Sequence, residues 1–94
     1  EGGRALTRPI EADGPRLFVN VDTGALGTLR VGLRDAARNP IPGFGFEECD
    51  PIRTNSSLSE VSWQGRTSVA ALSGRGLQVE FRGERTKLFS FFFD

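Results

Sequence analysis

The 94-residue chain predicts an all-β fold, a two-sheet antiparallel β-sandwich with jelly-roll-like or immunoglobulin-like connections. Three observations carry that expectation. Short apolar runs with period-two alternation recur along the chain. Its 12 glycines and 5 prolines stand between those runs instead of pooling in a linker. No window of about 11 residues or more holds a 3.6-residue apolar period.

Each element has its own signal. Ala5 to Glu11 reads as a weak strand, and Pro9 inside it indicates an edge position because proline cannot donate to a ladder. Asp13-Gly14-Pro15 turns the chain. Arg16 to Asp22 is a strand with Leu17, Val19 and Val21 on one face and Phe18 and Asn20 on the other. Thr23-Gly24-Ala25 breaks it. In Leu26 to Asp35, Leu29, Val31 and Leu33 alternate with Arg30, Gly32 and Arg34, the mark of one buried and one wet face. Ala36 to Asn39 reverses, Ile41 to Phe46 reads as a short strand, and polar Glu47 to Leu58 as the longest loop. Ser59 to Gln64 is a strand with Val61 and Trp63 on one face, followed by a turn at Gly65-Arg66. Arg66 to Leu72 is the nearest approach to a helix and is short; Thr67 to Leu72 reads as irregular or a single turn. After the loop Ser73-Gly74-Arg75-Gly76, Leu77 to Arg82 alternates again, Gly83-Glu84-Arg85 reads as a hairpin loop, and Lys87 to Phe93 closes the domain. That last run is apolar on both faces, which predicts a central strand with one face in the core and the other against a preceding domain. Seven or eight strands result, with a core of Leu17, Val19, Leu29, Val31, Leu33, Val61, Trp63, Leu77, Val79, Phe81 and part of Leu88–Phe93.

Composition bounds the function. Hydrophobic residues make up 37% and charged residues 26%, enough apolar content for a core in one domain spanning 1–94. The 12 basic and 12 acidic residues cancel, so no electrostatic footprint for nucleic acid or an anionic membrane is expected. With no histidine, His-based triads and His metal ligands are excluded. One cysteine excludes an internal disulfide and a cysteine-rich zinc site. No apolar run reaches the roughly 18–20 residues of a membrane-spanning helix. Glu1-Gly2-Gly3-Arg4 lacks both a Met and the apolar stretch of a signal peptide, so the chain is read as a piece of a larger polypeptide. The compartment is not fixed by the chain, with extracellular and periplasmic as the candidates. No cofactor is expected.

The order of motifs carries a resemblance. Thr7-Arg8-Pro9 opens, followed by Leu17-Phe18-Val19-Asn20-Val21-Asp22 and Gly27-Thr28-Leu29-Arg30-Val31. Pro40-Ile41-Pro42-Gly43-Phe44 and Glu48-Cys49-Asp50-Pro51-Ile52 come next, then Val61-Ser62-Trp63, Leu72-Ser73-Gly74-Arg75 and Lys87-Leu88-Phe89-Ser90-Phe91. Over about Thr7 to Phe93 this resembles the C-terminal β-sandwich module that follows a β-propeller in bacterial proteins similar to family 32 and family 43 glycoside hydrolases. The resemblance implies a non-catalytic accessory part, because the catalytic carboxylates of such proteins lie in the propeller. Phe89 fits the aromatic residue that usually precedes the serine near the last strand. Arg53-Thr54-Asn55-Ser56 departs from the Gly-Asp pair often found in the long loop, so a role resting on that acidic residue is not carried over.

Several residues are candidates for binding. Trp63, the only Trp in a chain without Tyr, is either a core residue, as its parity with Val61 indicates, or a stacking platform for a sugar ring. Phe44 and Phe46, between Gly43 and Gly45, either line a ligand groove or plug the end of the sandwich. Asn20 and Asp22 either accept hydrogen bonds from sugar hydroxyls or cap the turn after their strand. Glu47, Glu48 and Asp50 are sequence neighbours rather than a facing acid–base pair, which argues against glycoside cleavage. Glu48 and Asp50 are weak calcium candidates, with Asp22 and Asp35 as further donors, because carboxylates and loop carbonyls suit a hard cation. Cys49 has acidic neighbours and no histidine to activate it, so it reads as a packed, inert thiol. Asn55-Ser56-Ser57 matches a glycosylation acceptor that a bacterial protein would leave unmodified. Arg30, Arg34, Arg38, Arg66, Arg75, Arg82 and Arg85 are interleaved with acids and read as a solvated surface.

The leading expectation is an accessory sandwich that packs on a preceding catalytic propeller of the same chain and stabilises it. A carbohydrate-binding module is the alternative, and an extracellular adhesin or stalk-type domain the third reading. No nucleic-acid or membrane partner is expected.

Overall fold

The computed structural model describes residues 2–7, 10–11, 14–22, 27–53, 58–72, 75–84 and 86–94, with backbone alone for 2–4 and 87–89. Seven strands form among them: β1 Gly2–Leu6, β2 Ile10–Glu11, β3 Leu17–Asp22, β4 Thr28–Asp35, β5 Ser59–Glu60, β6 Gly76–Glu84 and β7 Lys87–Phe93. They make two antiparallel sheets. In the first, β1 and β2 pair with one edge of β6 and β4 pairs with the other; in the second, β3 lies between β5 and β7. The all-β sandwich expected from alternation is therefore the fold.

Alternation works because each long strand turns its apolar side to the core, although β6 also buries Gln78 and Glu80 on its other side. Leu17, Val19 and Val21 of β3, Leu29, Val31 and Leu33 of β4, and Leu77, Val79 and Phe81 of β6 meet between the sheets. Val61 and Trp63 join them, so the ten named core residues are all buried. Phe91 and Phe93 of β7 pack against the same cluster, and the Phe81 and Phe91 rings lie 5.1 Å apart. Val21, Ile41, Phe44, Cys49, Ile52, Val69 and Leu72 complete the core.

Several expectations are corrected. The weak first strand is two short ones, β1 and β2, on one edge of β6; Pro9 lies outside the described residues. Ile41 to Phe46 is not a strand but a succession of turns, with Gly43 at φ 85° and Phe44 N–H bonded to the Ile41 carbonyl at 2.9 Å. Only Ser59–Glu60 of the Ser59–Gln64 segment is strand, and the helical candidate reduces to one 3₁₀ turn at Ala70–Leu72. Gly83 and Glu84 are the end of β6, not a hairpin loop, because β6 and β7 belong to opposite sheets. From β2 to β7 every successive strand changes sheet, which is the jelly-roll-like of the two connection patterns. Finally, β7 is not central. Among the described residues it is the outer strand of its sheet.

The tight reversal after Trp63 is closed by a pair of backbone hydrogen bonds. Trp63 and Arg66 exchange both hydrogen bonds, at 2.8 and 3.0 Å, across Gln64 (φ 53°) and Gly65 (φ 80°). Two successive positive φ values define a type I′ turn, whose favoured pair is Asn-Gly. A Cβ at Gly65 would meet nothing within 4 Å, so a substitution there tests backbone strain free of clash. Gly65→Ala should lower stability by about 1 kcal/mol and Gln64→Asn should raise it by a few tenths. Urea midpoints at constant m-value check both, and an unchanged Gly65→Ala midpoint would exclude this turn.

Candidate functional site

The sequence candidates fall in three separate places. Trp63 and Phe44 lie together in the core. Trp63 is fully buried, and Phe44 meets it edge-on with ring centroids 5.4 Å apart. Neither offers a face to a ligand: the outer side of Phe44 is covered by the Arg66 guanidinium, 4.5 Å from the ring centroid. Arg66 is fixed in turn by donating from Nη2 to the Gly43 carbonyl at 2.7 Å.

Trp63 serves the backbone of β4. The side of β4 away from β6 carries outward peptide groups at Leu29, Val31 and Leu33. Leu29 exchanges both bonds with Ile52, while Leu33 donates to the Phe44 carbonyl and accepts from Ile41 N–H. At Val31, side chains replace a neighbouring strand. Its carbonyl accepts from Trp63 Nε1 at 2.9 Å, and its N–H donates to Cys49 Sγ at 3.3 Å. Cys49 donates onward to the Asp50 carbonyl and is 3% exposed. Burial pushes its thiol up to about 11 from an ordinary 9.0, so it stays protonated and unreactive near neutral pH. Asp50 is engaged structurally: Oδ2 accepts from Ser62 Oγ at 2.6 Å and from Gly65 N–H at 2.9 Å. Those bonds, the serine's foremost, hold its carboxyl below the usual range.

Phe46 lies elsewhere, on the outer face of the β1/β6/β4 sheet. It crosses Gly32, where a Cβ would come within 2.7 Å of its backbone nitrogen. That contact explains a glycine in the middle of β4. The Arg82 guanidinium sits 3.4 Å from the Phe46 ring centroid. Beside it Glu80 is only 4% exposed; Oε1 accepts from Arg34 Nε at 3.1 Å, and Oε2 faces Arg82 Nη2 at 3.4 Å. These arginines are therefore not simply a solvated surface: two of them neutralise a buried carboxylate. A groove of about 160 Å³ runs between Pro40, Pro42 and Phe46, with Glu47, Glu48 and Glu80 along it. Glu48 lies close to Gly45. Among the described residues, no group of three or more His, Cys, Asp or Glu could hold a metal ion.

Asn20 and Asp22 occupy the third place, the outer face of the β5/β3/β7 sheet. Asn20 is half-buried opposite Ser90, and Asp22 is exposed at the strand end, opposite Lys87. On the same face Phe18 and Phe92, directly opposite each other, stack with centroids 5.3 Å apart and planes 15° from parallel. Phe92 is 43% exposed. Arg16 and Glu60 border the pair with an ion pair at 3.6 Å. This is an aromatic surface with a polar margin. Neither ring was among the candidate binding residues. The signal for them was parity: Phe18 is out of phase with Leu17 and Val19, and Phe92 with Phe91 and Phe93. Asn55-Ser56-Ser57 lies outside the described residues.

Compared with known protein families, curated proteins and solved structures, the chain has no significant match.

Two outcomes test the Trp63–Val31–Cys49 arrangement. Trp63→Phe strands the Val31 carbonyl and opens a void, and should cost about 2–4 kcal/mol in denaturant unfolding. The raised Cys49 pKa means that the folded state holds this proton more tightly than the unfolded chain. Its contribution is therefore complete below pH 9.0 and is lost as the pH rises toward about 11. Relative to Cys49→Ala, the wild type should lose up to about 1.4 kcal/mol per pH unit across that window. Parallel curves for the two proteins would exclude a buried thiol.

Proposed function

We propose that this domain is a non-catalytic accessory sandwich that packs on, and stabilises, a β-propeller domain of a glycoside-hydrolase-like protein. The observation that supports this reading is the stacked Phe18–Phe92 pair, exposed on a sheet face with a polar rim. Isolated apolar residues on a surface are ordinary, but a stacked aromatic pair flanked by an ion pair resembles the centre of a domain interface. The order of motifs from Thr7 to Phe93, which resembles such modules, is the support for a propeller as the neighbour.

A carbohydrate-binding role is the second reading, and one placement favours it: Asn20 and Asp22 share the face of the aromatic pair. Burial of Trp63 and Phe44 weighs against the platform that reading would first invoke.

An amide NMR titration separates the two. With a panel of soluble plant and microbial polysaccharides the spectrum should stay unchanged. With a propeller domain encoded in the same reading frame, the amides of Phe18, Asn20, Ser90 and Phe92 should shift together. Saturable shifts of these amides with a glycan, and none with the propeller, would establish the carbohydrate-binding reading instead.

A further inference from the structure

The outer edge of β7 carries unpaired strand chemistry. Arg16 and Asp94 exchange both backbone hydrogen bonds, at 3.2 and 2.9 Å. Antiparallel pairs alternate, so Asp94, Phe92 and Ser90 direct their peptide groups toward β3, while Phe93 and Phe91 direct theirs outward. Among the described residues no strand pairs with that edge. Protective devices are missing from the stretch: Ser90 to Phe93 contains no proline and no charge. The opposite edge of the sandwich, at β4, is closed by Ile52, Cys49, Trp63 and Phe44.

We infer that the β7 edge is a self-association surface, on which a second copy of this chain pairs antiparallel through its own β7. Register follows from the strand itself. The β3–β7 ladder is regular from Leu17–Phe93 to Asn20–Ser90 and then slips, leaving Phe89 as the extra residue. A bulge pairs poorly, so the regular segment 90–94 supplies the interface. A two-fold axis perpendicular to the sheet keeps the faces matched. Centred on Phe92, it sets the outward peptide groups of Phe91 against those of the second copy's Phe93, and the reverse.

The side chains agree with that register. On the outer face Phe92 meets the second copy's Phe92, extending the Phe18–Phe92 stack into a row of four rings. Each Ser90 meets the second copy's Asp94, a hydroxyl donor opposite a carboxylate acceptor. No like charges face one another, and the polar pairs flank the aromatic centre as in other cross-strand ladders. Centring on Phe91 instead would pair Phe93 with the bulged Phe89 and lose this match. The result is a six-stranded sheet across two copies. Its hydrogen bonds lie in the sheet plane, so the Phe18–Phe92 face stays open, doubled in width, and the inference stands apart from the docking role proposed above.

The test is sedimentation equilibrium of the 94-residue chain from about 10 μM to 1 mM, with amide hydrogen exchange at both ends of the range. A monomer–dimer equilibrium is expected, with Phe91 and Phe93 amides fast-exchanging in the monomer and protected in the dimer. Phe92→Lys places two cations on the axis and should abolish the dimer; the ring is outside the core, and a dispersed spectrum verifies the fold. Ser90→Asp, facing Asp94, should weaken association roughly tenfold, whereas Ser90→Arg should not. A wild type that stays monomeric to 1 mM with both amides unprotected overturns the proposal. So does a dimer indifferent to Phe92→Lys and Ser90→Asp, or growth beyond the dimer.

Discussion

One peptide group organises half of this domain. Val31 stands at the middle of β4, with its N–H and C=O turned away from β6. A buried peptide group without partners costs several kcal/mol, and no strand is there to supply them. The thiol of Cys49 and the indole of Trp63 do so instead. To bring both to one residue, the chain between β4 and β6 must wrap along the β4 edge. The turns at 41–50, the Asp50 bonds to Ser62 and Gly65, and the Arg66 cover on Phe44 are all means of holding it there. The only tryptophan is thus committed to structure, which leaves recognition to other residues.

The two sheets consequently differ in kind. One has its β4 edge sealed by side chains and its outer face crossed by Phe46, with Glu80 clamped between Arg34 and Arg82 beneath. The other has β7 at an edge that no described strand pairs with, and an outer face that carries the paired phenylalanines, Phe92 exposed. The stacked aromatic pair and the β7 edge thus belong to the same sheet.

Much of this was legible in the chain, for an identifiable reason. β3, β4 and β6 each carry three apolar residues at period two, and burial on one face is all that such a pattern encodes. Parity likewise placed Trp63 in the core. The pattern misled at Ile41–Phe46, where the spacing of Ile41 and Phe44 satisfies a turn packed on Leu33 as well as a strand. It also misled at Lys87–Phe93: apolar character on both faces marks a central strand or an edge awaiting a partner, and periodicity cannot distinguish them. Alternation over Leu77 to Arg82 gave no sign that Glu80 is buried, because it ignores what crosses a sheet. Gly32, opposite Glu80 on β4, was the visible sign that something passes overhead. Pairing between distant strands has no local code, so instead of the expected hairpin Gly83 and Glu84 end β6 in one sheet, and β7 belongs to the other.

The position of β6 in the chain also sets when the domain can form. β1, β2 and β4 each pair with β6. During synthesis from the N-terminus, these three strands have no ladder to join until Glu84 has emerged. Before then the nascent chain holds exposed apolar strands without their common template, and closing such long loops is slow. Folding of this domain on the ribosome is therefore deferred until β6 has emerged, and the interval before that is the one in which a chaperone has most to do.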